Sequence, residues 1–252
     1  MAELKIPTEI VSLPSKGLLY PKESPLSKGE IEMKYMTARE EDILTNVNFI
    51  RQGVVIDKLL QSLIVTPINY DELLVGDKNA ILIAARILGY GAEYSFKYTN
   101  DKNQEVEATI DLTTLKEKEL DTSLVKEGVN SFTFTLPKTG NIVTFKLLSH
   151  SDEKKIEAEI KGLTKVNPNG SFEITTRLKH MITSINGDYD QKNVRDFIDT
   201  MLLAPDARAL REYYAKIQPD IEMKFIPEDG NYAGEGITVP ISLNFFWPDA
   251  GA

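Results

Sequence analysis

The sequence predicts an α+β fold: an N-terminal extended arm, a helical segment, antiparallel β-hairpins, and C-terminal helices that close with β-strands. Two patterns carry that reading. Apolar residues recur at helical spacing in some blocks and alternate with polar ones in others. The alternating blocks come in adjacent pairs joined by short turns, which favours hairpins over a parallel doubly wound sheet. The composition permits a real core, with 42% hydrophobic and 27% charged residues in a chain of 252.

Residues 1–30 read as an arm. Pro7, Pro14, Pro21 and Pro25 preclude a continuous helix. Yet Ile6, Ile10, Val11, Leu13, Leu18, Leu19 and Tyr20 are too apolar for a free linker. The arm must dock, either on its own body or on a neighbour. Glu30–Met36 alternates as a half-buried strand. Thr37 and Glu40 form a capping box for a helix over residues 38–46. Val55, Leu59, Leu60 and Leu63 define a helix over 54–65, stopped before Pro67. Asp77 is expected to cap an apolar helix over 78–88, ended by Gly89-Tyr90-Gly91. Glu93–Tyr98 and Glu105–Leu112 read as one hairpin, Ser131–Leu136 and Ile142–Leu147 as a second. Helices are expected from Ser151 toward Lys165, then over 172–185, 190–203 and 206–217. Strands at 221–225 and 239–247 close the chain. This order divides it into a docking arm (1–30), three helices with a hairpin (31–125), and a hairpin, helices and terminal strands (126–252).

Charge and residue types narrow the chemistry. A formal charge of -9 argues against phosphate-backbone binding, so nucleic acid is not an expected partner. The longest apolar run, residues 80–88, contains Arg86 and is too short to span a bilayer, so no membrane is expected. There is no basic-then-apolar leader at the N-terminus. With no cysteine and only His150 and His180, neither a disulfide framework nor a transition-metal site is expected. Asn167-Pro168-Asn169-Gly170 lacks the acids of a calcium loop. His150 lies between Ser149 and Ser151-Asp152, but triads assemble from separate loops, and Ser151 or Asp152 serves better as a helix cap. No catalytic or cofactor-binding residue emerges. Phe245-Phe246-Trp247 places three rings in the final strand, as a two-sided core strand or as an interface anchor.

Leu13-Pro14-Ser15-Lys16-Gly17-Leu18-Leu19-Tyr20-Pro21 is followed by a strand and then by Met36-Thr37-Ala38-Arg39-Glu40-Glu41-Asp42-Ile43-Leu44. This resembles the baseplate hub subunit and hub assembly protein family of T-even-like bacteriophages. The likeness continues through Gly76-Asp77, the run from Ala80 to Gly91 and Ile110-Asp111-Leu112, and it includes the aromatic end less specifically. It implies a non-enzymatic protein that builds or promotes assembly of the central hub, with other hub or tail proteins as partners. It places the chain in the host cytoplasm during assembly and in the virion tail if retained. Self-association stays open. A tail-associated hydrolase and a transient assembly chaperone are the alternatives. Some related tail proteins carry a Cys-x-x-Cys knuckle after the Gly-Tyr-Gly turn. Here Phe96–Asn103 has no such ligand, so strand pairing and packing must hold the hairpin. Expected partner-binding residues are Leu13, Pro14, Gly17, Leu19, Tyr20, Phe246 and Trp247. On that reading, deleting residues 1–25 should leave a folded monomer with weakened hub association.

Overall fold

The structure, a computed structural model, describes residues 6–100, 102–118, 120–227, 236–241 and 243–246. Among them are eight α-helices and five small antiparallel sheets. The fold is α+β.

Strand β1 (Thr8–Ser12) pairs with β2 (Glu30–Lys34). The intervening chain makes successive tight turns and a short 3-10 helix, Pro25–Lys28, capped by the Ser24 side chain. Helix α1 (Ala38–Leu44) begins at the capping box read from Thr37 and Glu40. A short helix follows that the periodicity does not reveal, α2 (Val47–Gln52). Its Asn46 cap accepts from the N–H groups of Asn48 and Phe49, and Gly53 ends it at φ 71°. Helix α3 (Val55–Leu63) buries the stripe of Val55, Leu59, Leu60 and Leu63.

Helix α4 (Val75–Tyr90) starts three residues earlier than expected, and Asp77 is not its cap. Asp77 lies inside the first turn, fully buried. Gly76 precedes it because a Cβ there would lie 1.8 Å from the Pro219 carbonyl oxygen. α4 is apolar nearly all round, as befits a central helix. Arg86 interrupts that run as a buried charge whose Nε has no hydrogen-bond partner among the described residues, while its two terminal nitrogens are engaged. Its guanidinium donates to the carbonyls of Gly91 (2.6 Å) and Glu93 (2.9 Å). It also lies over the rings of Tyr90 and Tyr94, near the negative end of the helix dipole.

β3 (Glu93–Thr99) and β4 (Glu105–Asp111) form the first hairpin, held by pairing and by buried Tyr94, Phe96 and Ile110. β5 (Lys116–Glu117) pairs with a later strand. β6 (Phe132–Thr135) and β7 (Ile142–Phe145) form the second hairpin. Helix α5 (His150–Val166) is capped by Ser149, two residues before the expected Ser151, with Asp152 completing a capping box. Helix α6 covers only Glu173–Met181. The residues expected to extend it form β8 (Ile182–Ile185), the third strand beside β7. Two isoleucines around Thr183-Ser184, before the Asn186-Gly187 turn, favour that strand. α7 (Gln191–Thr200) is capped by Asp190. α8 (Ala204–Ile217) contains Pro205 in its first turn, where a missing N–H is harmless, so this proline starts a helix rather than separating two.

β9 (Ile221–Glu222) pairs with β5, and β10 (Lys224–Phe225) with β11 (Ile237–Thr238). The expected terminal strand over 239–247 is corrected. Residues Leu243–Phe246 form a 3-10 turn that buries Phe245 and Phe246 together, edge to face at 5.3 Å. Trp247 lies outside the described residues. Buried side chains from Leu13 to Phe246 form one continuous cluster. Each fully enclosed leucine in it stabilises the fold by about 1.5–3 kcal/mol.

Candidate interaction site

The N-terminal arm docks on its own body. Leu13, Pro14, Ser15, Gly17, Leu19 and Tyr20 are all buried. Gly17 is needed at φ 74°, where a Cβ would meet the Ser27 carbonyl oxygen at 2.4 Å. The anchor is Asp77. Its carboxylate accepts from Ser15 N–H (2.9 Å), the Ser15 hydroxyl (2.7 Å) and the Tyr20 hydroxyl (2.5 Å). The Tyr20 oxygen in turn accepts from Leu74 N–H at 2.9 Å. Burial raises the Asp77 pKa above the ordinary carboxylate value, opposed by the bonds from Tyr20 and Ser15. Burial, and then the Asp77 charge, raises Tyr20 well above its usual value.

Leu13, Pro14, Gly17, Leu19 and Tyr20, expected to bind a partner or to anchor the arm, are enclosed within the chain. Their surfaces are spent inside the chain, and what they fix in space is the strand before them. Phe246 is likewise enclosed, so it offers no exposed anchor in this arrangement. Ser15 and Asp77 carry the docking, and sequence reading passed over their pairing because they lie 62 positions apart. The one visible signal was an aspartate at the head of an otherwise apolar helix.

A second polar cluster surrounds His150. Lys78 donates to Asp57 at 2.6 Å, and the Tyr70 hydroxyl donates to the same oxygen at 3.0 Å. His150 Nδ1 lies 3.2 Å from Lys78 Nζ, and Nε2 lies 3.5 Å from Asp57. Lys154 pairs with Asp71 at 3.2 Å. A cleft of about 450 Å³ adjoins the cluster. Burial, then Lys78, lowers the His150 pKa, against Asp57. The neighbouring Ser149 hydroxyl is engaged with Asp152 in the helix cap. The cluster supplies acids and bases whose charges satisfy one another, and the Tyr70 hydroxyl within it is engaged with Asp57. It joins α3, α4, α5 and the Tyr70–Glu72 turn. Among the described residues, no three His, Asp or Glu side chains converge as a metal site would require. No helix there is long and apolar enough to cross a membrane.

A family model described as T4 bacteriophage base plate protein matches residues 13–225, starting at the anchored arm. The chain belongs to that family. It is a bacteriophage baseplate protein of structural or assembly role, which locates it in the virion tail among other baseplate proteins. No curated protein and no solved structure matches it.

Proposed function

We propose that the chain builds or promotes assembly of the central baseplate hub through protein–protein contacts and catalyses no covalent chemistry. The family match over residues 13–225 carries this reading, because it spans nearly all of the described fold. The self-satisfied charges around His150 support it, since a general acid–base site needs a group free to meet substrate. Leu13, Pro14, Gly17, Leu19 and Tyr20 take part in partner binding by holding the preceding strand at the surface. Phe246 and Trp247, at the aromatic end of the chain, are proposed to contribute to partner binding as well. The partners are other hub or tail proteins, met in the host cytoplasm during assembly.

A null allele in the phage tests the reading. Lysates should lack complete baseplates by electron microscopy, and supplying the protein in trans should restore them. Normal baseplates in the null lysate would defeat it. Purified protein should leave peptidoglycan intact; its degradation would favour a tail-associated hydrolase. Mass spectrometry of mature virions separates a retained subunit, present at fixed stoichiometry, from a chaperone that departs.

A further inference from the structure

The β1–β2 sheet has one finished edge and one open edge. Leu13 N–H donates to the Gly29 carbonyl at 2.8 Å, and Tyr35 N–H to that of Pro7 at 3.1 Å. Val11↔Ile31 and Glu9↔Met33 continue that register. Antiparallel pairs alternate between bonded and non-bonded positions. Pro7, Glu9, Val11 and Leu13 therefore turn their backbone groups toward β2, whereas Thr8, Ile10 and Ser12 turn theirs outward. Those outward N–H and C=O groups have no partner among the described residues. All three residues are exposed, Ile10 by 61%. On the far side of β2 the edge is closed. Val65 N–H donates to the Glu32 carbonyl at 2.8 Å, and Glu32 N–H to the Thr66 hydroxyl at 2.7 Å.

Folded proteins ordinarily guard such an edge with lysine, proline or a bulge. Thr8–Ser12 contains neither of those residues, and its register is regular. Both faces of this sheet are acidic, with Glu9 on one and, on the other, Glu30 and Glu32, which accepts from the Thr8 hydroxyl. Lys34, the one cation on either strand, is held by Glu40 at 2.9 Å. A second copy of the chain would bring the same carboxylates and another formal charge of -9. A strand with basic side chains complements these carboxylates instead.

We propose that β1 is a docking edge for an extended, basic segment of another baseplate protein, which adds to the sheet as a third strand. This deepens the hub reading and rests on it. Main-chain bonds to Thr8, Ile10 and Ser12 supply the attachment. An apolar side chain opposite Ile10 and a basic one opposite Glu9 supply the selectivity. The Asp77 anchor holds the edge ready, so little ordering is needed on binding.

Amide hydrogen exchange on the full chain tests this with two synthetic peptides, one alternating lysine and valine, the other glutamate and valine. The basic peptide should slow exchange at Thr8, Ile10 and Ser12 by about tenfold or more, and the acidic peptide should not. Ile10→Pro removes an outward donor and leaves every β1–β2 hydrogen bond in place, so it should fold normally. It should abolish protection of Thr8 and Ser12 by the basic peptide and fail to restore baseplates in the null phage. Equal protection by both peptides, or by neither, overturns the proposal. So does concentration-dependent protection without peptide, the mark of self-pairing. If Ile10→Pro restores baseplates while the empty control does not, the edge proposal falls and the assembly reading stands.

Discussion

Asp77 shows how a single buried charge organises this protein. Its carboxylate receives three donors from the arm, so the arm is tied to α4 by charge-assisted bonds. Asp77→Asn directs an amide N–H₂ at those donors, and Tyr20→Phe strips a partner from both Asp77 and Leu74 N–H. Each variant should lose about 1–3 kcal/mol in urea unfolding. An unchanged midpoint in both would remove Asp77 as the anchor. His150 predicts a pH dependence with a definite sign. Its folded pKa is lowered, so the folded state resists a proton that the unfolded chain accepts. Stability is therefore unaffected above about pH 6.5 and falls as pH drops below that value. His150→Gln should flatten the decline between pH 7 and 5, measured by urea titrations at each pH. Neither effect was legible in the sequence. Both depend on burial and on partners tens of residues away, whereas the Thr37–Glu40 capping box is local and could be read directly.

Among elements, the helices that follow the second hairpin are joined through Glu159 on α5. It accepts from Arg195 on α7 at 2.9 Å and lies 2.9 Å from His180 on α6. The Arg195 bonds, foremost, lower its pKa to about 2. A depressed carboxylate stabilises the fold above its unfolded pKa and loses that contribution as pH falls from about 4.5 toward 2. Glu159→Gln should cost about 1–3 kcal/mol at neutral pH and blunt the acid transition, as followed by circular dichroism. An acid midpoint identical to wild type would show that the three helices are held by packing alone. Sequence periodicity placed most of these elements because their apolar faces are regular. It failed where tertiary pairing decided the outcome. The residues of β8 carry enough apolar character for either state, and pairing with β7 selects the strand. Pro205 looked like a break because only its place in the first turn makes it harmless. α2 is too short to show a period, though Asn46 and Gly53 mark its ends.

Over the whole molecule, the arm divides at Ser12 into a part that builds the fold and a part that the fold displays. Leu13, Leu19 and Tyr20 belong to the continuous core, and each contributes about 1.5–3 kcal/mol by burial. Removing residues 1–25 also strips Asp77 of all three of its donors from the arm. Against a typical domain stability of about 5–15 kcal/mol, deletion of residues 1–25 should unfold or aggregate the chain. That reverses the outcome expected from the apolar, proline-spaced character of the arm, which shows that it docks but not on what. Deletion of residues 1–12 is different. It removes an exposed strand and keeps the anchor, so a cooperative unfolding transition should survive. Thermal unfolding of the two truncations, with complementation of the null phage by each, separates stability from assembly. The shorter deletion should fold and fail to restore baseplates. A longer deletion that folds with wild-type stability would mean the core does not need the arm. Buried Leu13 and Tyr20 would then have to be explained by what the arm meets outside the chain.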